Sequence, residues 1–174
     1  NPAGTDSRAT MPTRYLLINP NGSAHITARL AASAQAVLTD DETLTAVNAV
    51  GEPAVVRDAA TLALADRHAE DLFDRHAAGC DAVLLGISLD GAVGALRRRR
   101  PSRPVVGMTE AALVSAMLCA RRVGLLTLGP AMAPLYADRV AQIGLGSRLA
   151  GIEAPDAPSA FLPQTIGVDP ATLE

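Results

Sequence analysis

Residues 82–91 read AVLLGISLDG, a run of four apolar residues followed by a loop that begins and ends with glycine. A short apolar run without polar alternation is typical of a strand buried on both faces, as strands of parallel sheets are. Residues 15–18 form a similar run, which ends in the turn Asn-Pro-Asn-Gly-Ser at residues 19–23. The two segments therefore predict buried strands that each end in a loop.

Strand and helix signals alternate along the rest of the chain. Further strands are predicted at residues 43–47, 104–108, 123–127 and 149–152, with helices between them. Ser23 and Thr109 are the expected N-caps of two of these helices. The alternation predicts an α/β fold with a doubly wound parallel sheet, a flavodoxin-like lobe whose crossovers are right-handed.

The same fold class predicts where a ligand binds. In doubly wound sheets, ligands bind in loops outside the carboxyl ends of the strands. The loops expected to form a site are therefore residues 19–23, 86–91, 108–110 and 127–130.

The pattern divides the chain into three segments. Residues 1–10 are polar and patternless, and we expect them to be a cloning remnant outside the fold. Residues 11–121 are predicted to form the first α/β lobe, and residues 122–174 an incomplete second α/β lobe. Strands 123–127 and 149–152 alone would make a two-stranded sheet with little to cover it, so we expect the chain to be interrupted or completed by a partner.

Composition excludes several classes of protein. The basic residues are all arginine, which excludes Schiff-base and pyridoxal-phosphate chemistry and a Walker-type phosphate loop, since these need a lysine. A net charge of −3 argues against general nucleic-acid binding, and the arginines at 97–100 are interpreted as a solvated helix end. The chain has no apolar run of the roughly 20 residues that span a bilayer. We expect a cytoplasmic protein without membrane partner, cofactor or metal.

The first loop offers polar groups at the start of a helix. Asn19, Asn21 and Ser23 bring amides and a hydroxyl next to free backbone N–H groups, an arrangement that suits an anion or a carboxylate. The alternative is purely structural, because Asn, Pro and Gly make turns and Ser caps helices. Both interpretations stay open on these residues alone.

The second loop places Ser88 in a Gly-x-Ser turn after a strand, as in the nucleophile elbow of serine hydrolases. Asp90 stands where the elbow has glycine, and all three histidines precede Ser88 in the chain. Serine hydrolysis is therefore not favoured. Cys80 and Cys119 lie away from the strand tips, and both are expected to be small buried residues rather than reactive thiols.

Three segments together resemble the Asp/Glu/hydantoin racemase superfamily, and especially its hydantoin and allantoin racemase branch. They read LINPNGS at residues 17–23, DAVLLG at 81–86 and PVVGMTEAA at 104–112, and GLLT at 124–127 continues the match in order. The resemblance covers roughly residues 15–152, and its NPNGS opening is its most specific part.

This resemblance implies a fold of two similar α/β lobes with the substrate in the cleft between them. It implies cofactor-independent chemistry, in which one cysteine per lobe acts as acid or base on opposite faces of the substrate α-carbon. Carried over by position, Ser88 and nearby backbone N–H groups would stabilise enolate charge. The other residues implied to contact the ligand are Asn19, Asn21, Ser23, Thr109 and Thr127.

The sequence departs from the family pattern at both acid/base positions. The first cysteine slot falls on Gly86 or Ile87, depending on a one-residue choice of register, and neither side chain can move a proton. The second cysteine is expected beyond Glu174. The segment GISL at residues 86–89 looks like the Gly-Thr-Ser-Leu of arylmalonate decarboxylase, a relative that keeps only the second cysteine.

We therefore interpret the chain as a racemase-like or isomerase-like enzyme that removes an α-proton from a hydantoin, an allantoin or a small amino or carboxylic acid. Two alternatives stay open. One is a decarboxylase-like member without the first cysteine, and the other is a catalytically silent fold that binds a small anion or is completed by a partner. The expected partners are a small anionic or hydantoin-like substrate and further copies of the chain.

Overall fold

The computed structural model describes residues 11–127 and 129–155. The segment 1–10, which was expected to be a cloning remnant, and residues 156–174 of the predicted second lobe lie outside the described residues. The strands are β1 (Thr13–Asn19), β2 (Glu42–Asn48), β3 (Ala82–Leu85), β4 (Val105–Gly107), β5 (Val123–Leu126) and β6 (Leu149–Glu153). The α-helices are α1 (Ala24–Gln35), α2 (Ala59–His76), α3 (Val93–Arg99), α4 (Met108–Cys119) and α5 (Met132–Gln142). This order confirms the predicted alternation of strands and helices.

The first four strands form one parallel sheet in the order β2-β1-β3-β4. Its register aligns the carboxyl ends of β1 and β3, with Ile18 opposite Leu85, and Leu85 in turn lies opposite Gly107 of β4. The chain runs from β1 to β2 on one side and then crosses back to β3 on the other. A ligand crevice is expected at such a switch between β1 and β3.

Branched residues on the sheet and small residues on α2 build the main core. Leu16, Ile18 and Val83 are completely buried on the strands. The face of α2 that meets them buries Ala65, Ala69, Leu72 and Phe73. The two alanines let the helix approach the sheet closely, which explains how a core with so few aromatic side chains stays filled.

Strands β5 and β6 form a separate parallel pair, and α5 connects them. Met132 and Tyr136 of α5 reach the main core, whereas Val140 packs with Leu113 and Val123 in a second, smaller cluster. Helix α5 therefore contacts both sheets. The division into lobes at residue 121 stays a prediction.

The turn after β1 packs tightly against the loop that precedes α2. The Gly22 N–H donates to the carbonyl of Pro53 at 2.9 Å. A Cβ atom on Gly22 would lie 1.8 Å from the carbonyl oxygen of Gly51, which is far inside contact distance. Glycine is thus required at residue 22 by the neighbouring backbone.

A carboxylate lies in the interface between α2 and the loop after β3. Asp66 is half-buried, and its Oδ1 has no hydrogen-bond partner among the described residues. Its carboxylate approaches Gly91 so closely that a Cβ there would lie 2.4 Å from both oxygens. Desolvation, followed by repulsion from Glu70, raises the pKa of Asp66 to about 6, against a hydrogen bond from the Ala92 backbone and the charge of Arg139.

We predict that Gly22→Ala lowers the free energy of unfolding by at least about 2 kcal/mol, because the added methyl group must push the Gly51 backbone away. Gly124→Ala is the matched control, since a Cβ on Gly124 meets nothing within 4 Å. Urea denaturation of both variants measures the difference. Equal stability of the two would show that the turn after β1 moves aside without cost.

We predict that Asp66→Asn stabilises the protein near pH 7.5 and has little effect near pH 4. Because the folded pKa is raised, the folded state keeps a proton that the unfolded state has released, and stability falls as pH rises from about 4 to 6. After allowance for partial exposure, the gain above pH 6 is about 1 to 2 kcal/mol. Urea denaturation at both pH values measures it, with the exposed Asp71→Asn on the same helix as control.

A result in which Asp66→Asn is no more stable than the parent chain near pH 7.5 would contradict the assignment of Asp66 as a buried, destabilised carboxylate.

Candidate functional site

The loops after β1 and β3 and the first turn of α4, which follows β4 directly, meet at one edge of the four-stranded sheet. Because these strands are parallel and adjacent, their carboxyl ends point the same way, and the Gly86 N–H continues the ladder by donating to the Ile18 carbonyl at 2.8 Å. The predicted loop at residues 108–110 is wrong, because α4 begins at Met108. We refer to the loops at residues 19–23 and 86–91 and the first turn of α4 at residues 108–110 together as the site loops.

Asn19 determines the shape of the first site loop. It is completely buried, and its Nδ2 donates to Thr27 Oγ1 at 2.9 Å and to the Ser23 carbonyl at 3.3 Å. Its Oδ1 accepts from the Asn21 N–H at 3.1 Å. Ser23 Oγ in turn accepts from the Ile26 N–H, which confirms the predicted N-cap of α1. Both residues thus stabilise the turn and the start of the helix.

Asn21 differs from its neighbours because part of its side chain is unpaired. It is 8% exposed, and its Oδ1 has no hydrogen-bond partner among the described residues. A buried polar atom without a partner costs free energy, and such atoms are frequently satisfied by a ligand or a water molecule. Asn21 is therefore the group of the first loop that has hydrogen-bonding capacity to offer.

The second and third site loops are joined by reciprocal hydrogen bonds. Asp90 accepts from the Thr109 N–H at 3.1 Å and from the Glu110 N–H at 2.7 Å, one bond to each carboxylate oxygen. Thr109 Oγ1 accepts from the Leu89 N–H at 3.1 Å. The predicted N-cap at Thr109 is wrong: α4 begins at Met108, and the carboxylate that satisfies its first amides comes from another loop.

The backbone of the second loop takes an unusual conformation at the same place. Leu89 and Asp90 have φ angles of 83° and 52°, in the left-handed region that favours glycine. A non-glycine residue held there costs on the order of 1–3 kcal/mol, which the surrounding structure must offset. The hydrogen bonds between Asp90, Leu89 and α4 provide that compensation.

A group of charges surrounds the buried Asp90. Burial raises the pKa of Asp90, while the Glu110 and Thr109 N–H donors and the charge of Arg139 act in the opposite direction. Arg139 Nη2 lies 3.9 Å from Asp90 Oδ2 and 3.6 Å from Glu110 Oε2. Glu110 also pairs with Arg97 at 3.1 Å.

The remaining predicted residues lie at separate positions. Ser88 is half-buried in the second site loop. Thr127 follows β5, where its N–H donates to the Glu153 carbonyl at 2.9 Å. Among the described hydrogen bonds, none joins Thr127 to the site loops. The ligand contacts of all six predicted residues stay a prediction.

The two candidate cysteine positions differ in the space around them. A Cβ on Gly86 would lie 2.9 Å from Leu30 Cδ1 and 3.2 Å from Leu17 Cδ1. Ile87 already carries a side chain, which is 3% exposed and belongs to the main core. Packing thus fills residue 87, whereas a side chain at residue 86 would have to displace the ends of two leucine side chains.

Neither cysteine of the chain lies in the site loops. Cys80 is buried before the amino end of β3, as expected, and its Sγ donates to the His76 carbonyl. Cys119 ends α4 and is exposed, so its predicted burial is wrong. The reason is that α4 is apolar around much of its surface, and in the described structure nothing covers the face that carries Leu118, which is 85% exposed.

The described residues carry neither a metal-binding cluster nor a membrane-spanning helix. The part of the chain at 11–127 and 129–155 holds no group of three His, Cys, Asp or Glu side chains arranged for a metal ion. Its helices also include none that is long and apolar enough to cross a bilayer.

Sequence reasoning missed the charges around Asp90. The local sequence shows only that Asp90 stands where a nucleophile elbow has glycine, and its bonds to α4 span 19 and 20 residues, beyond any local pattern. Arg139 carried a usable signal, because it lies on the apolar stripe of α5 between Tyr136 and Val140. A charged residue on such a stripe must find a buried partner.

Comparison with known proteins places these loops in a family. The model of the family described as Asp/Glu/Hydantoin racemase matches residues 16–166. The hydantoin racemase of Paenarthrobacter aurescens is 30% identical over 145 residues, which cover 82% of this chain and 61% of that protein. The hydantoin racemase of Rhizobium meliloti is 29% identical over 143 residues, which cover 82% of this chain and 59% of that protein.

Solved structures give the same result at the level of the fold. An allantoin racemase from Pseudomonas fluorescens superposes with a TM-score of 0.82 at 25% identity, covering 92% of this chain and 66% of that one. For an allantoin racemase from Klebsiella pneumoniae the TM-score is 0.77 at 24% identity, with coverages of 89% and 64%. The chain spans about three fifths of the length of the curated relatives it matches. From the match of the family model over most of its length, the chain belongs to the Asp/Glu/hydantoin racemase family.

Proposed function

We propose that the site loops bind a hydantoin, an allantoin or a small amino or carboxylic acid, and that the chemistry at this site is removal and return of the hydrogen next to a carbonyl group. The observation that carries the proposal is the meeting of three family-matching loops at the switch point between β1 and β3. The relatives named hydantoin racemase and allantoin racemase support this class of substrate.

The reaction determines what the loops must supply. When a base takes the α-proton, the electron pair of the broken C–H bond moves toward the neighbouring carbonyl, whose oxygen becomes an enolate. Hydrogen-bond donors aimed at that oxygen stabilise the charge as it develops. Return of a proton to the other face of the carbon inverts the configuration, and return to the same face retains it.

Three side chains of the site loops suit the binding part of this task. Asn21 has an unpaired amide oxygen that is buried in this structure, and it would accept from a ring N–H of a hydantoin once the first loop shifts to expose it. Thr109 Oγ1 already accepts from the Leu89 N–H, so its own O–H is left to donate to a ligand carbonyl. Ser88 lies in the loop between them and would donate to the enolate. Asn19 and Ser23 would act by holding the first loop in shape.

The site loops contain no thiol that could transfer the proton. The position that corresponds to the first cysteine of the family pattern is Gly86 or Ile87, and neither side chain can carry a proton. This departure favours a second candidate function, in which the loops bind the same ligands and stabilise an enolate formed without that thiol. Such an enolate also forms when a carboxylate group leaves as carbon dioxide.

Proton NMR in heavy water on the 174-residue chain tests the proposal directly. Allantoin, 5-substituted hydantoins, aspartate and glutamate are incubated with the protein, and loss of the α-hydrogen signal is followed with optical rotation. We expect exchange on at least one of them, slowed about tenfold or more in Ser88→Ala by loss of an enolate donor. The exposed Ser33→Ala on α1 is the matched control and should exchange at the parent rate.

The outcomes separate the candidates. Exchange with loss of rotation supports racemisation, and exchange with retained rotation supports a single base. Calorimetric binding without exchange supports the second candidate, for which release of carbon dioxide from a substituted malonate is then measured. If the chain shows no binding of and no exchange on any of these compounds, the proposal is contradicted.

We further predict that the two asparagines of the first loop separate binding from stability. Asn21→Ala should weaken binding of the best ligand by about fivefold or more, with little change in melting temperature, because its Oδ1 has no protein partner. Asn19→Ala should lower the free energy of unfolding by about 2–4 kcal/mol, since three hydrogen bonds are lost. Calorimetry measures the change in binding, and urea denaturation measures the change in stability. If Asn21→Ala mainly lowers stability and Asn19→Ala mainly weakens binding, the assigned roles are wrong.

A further inference from the structure

We infer that Arg139 is a positioning residue for the proposed site, because it holds the Asp90 carboxylate where that group joins the second and third site loops. The inference deepens the proposed function and rests on it only for the ligand; the contacts themselves concern the loops. We call Asp90, Glu110 and Arg139 together the clasp.

Arg139 reaches the site loops from a different part of the fold. It lies on α5, the helix between β5 and β6, and only 11% of its side chain is exposed. Its neighbours on the helix, Tyr136 and Val140, are buried, whereas Asp138 points to solvent. A guanidinium group is buried at such a place only when carboxylates neutralise it.

Within the clasp, Arg139 balances the charge of the two carboxylates without donating a hydrogen bond to either of them. Arg139 Nη2 is 3.9 Å from Asp90 Oδ2 and 3.6 Å from Glu110 Oε2, which are ion-pair distances beyond the range of a hydrogen bond. The buried Nε has no hydrogen-bond partner among the described residues. A lysine at this position should therefore substitute in part, and an uncharged glutamine should not.

The Asp90 carboxylate, which Arg139 attracts, fixes the position of α4 through hydrogen bonds. It is completely buried, and its two oxygens accept from the consecutive amides of Thr109 and Glu110. Its charge must be retained for both bonds to be strong, because hydrogen bonds to an ionised acceptor are about twice as strong as neutral ones. Without Arg139, the buried carboxylate of Asp90 would lose its positive partner and keep only the two amide donors of α4.

The position of α4 matters for the proposed ligand contacts. Thr109 is bonded to the clasp through its N–H and to Leu89 through its Oγ1. Leu89 and Asp90 also hold the left-handed backbone that needs these bonds. Loosening of the clasp should therefore move the Thr109 hydroxyl and the loop that carries Ser88 relative to each other.

The test is amide hydrogen exchange by NMR on Arg139→Gln under conditions where every variant is folded. We expect exchange at Leu89, Thr109 and Glu110 to accelerate about tenfold or more relative to amides of β1, which report global opening. Arg97→Gln is the matched control, because Arg97 also pairs with Glu110 but is half-exposed and makes no described contact with Asp90. Arg139→Lys should restore exchange to within about threefold of the parent.

The inference would be overturned if exchange at Leu89, Thr109 and Glu110 accelerates no more than exchange in β1. It would also be overturned if Arg97→Gln accelerates exchange at these amides as much as Arg139→Gln does. If Arg139→Gln does not fold, Asp90→Asn decides instead. An asparagine has one oxygen, so one of the amides of Thr109 and Glu110 should lose its acceptor and exchange faster than the other. Equal protection of both amides in Asp90→Asn would overturn the inference.

A binding measurement separates this inference from the proposed function. If the parent chain binds a hydantoin or allantoin, Arg139→Gln should weaken that binding by about fivefold or more, with recovery in Arg139→Lys. If the parent binds none of them, the proposed function fails, whereas the exchange data still decide whether Arg139 positions the loops.

Discussion

The buried carboxylate of Asp90 is the interaction on which the arrangement of the site loops depends. The parallel sheet alone brings the ends of β1, β3 and β4 to one edge, but it leaves open how the following loops sit relative to each other. Asp90 fixes the relative position of these loops, because each of its carboxylate oxygens accepts a hydrogen bond from a backbone N–H in the first turn of α4. The loop after β3 and the helix after β4 therefore behave as one unit.

This arrangement has costs that the rest of the structure must offset. A carboxylate is removed from water, and two non-glycine residues take left-handed φ angles in the same loop. The charge of Arg139 and the two amide donors offset the first cost, and the bond from Leu89 to Thr109 offsets the second. Strain of this kind is often stored at functional sites, which agrees with a ligand site at this edge of the sheet.

Local patterns predicted much of the fold, including two of the loops that meet at one edge of the sheet. The strand at residues 82–85 has the predicted bounds, and the Ser23 cap was found from its position before an apolar stripe. Roles inside the site were less predictable, because they depend on partners distant in sequence. Asn19 points inward to Thr27, and α4 is capped by a residue 19 positions upstream instead of by Thr109. The predicted burial of Cys119 was also wrong, since a helix that is apolar around much of its surface gives no clear signal for its outer face.

The residue at the tip of β3 decides more about the chemistry than the surrounding loops do. Loops that hold a ligand and stabilise an enolate serve any reaction that passes through one, whether a proton or carbon dioxide leaves the α-carbon. What distinguishes these reactions is a group that carries a proton at the right face. In this chain Gly86 has no side chain, and Ile87 is packed into the core. Under the proposed function, the loops bind the ligand and stabilise charge, while the choice of reaction depends on which group faces the α-carbon.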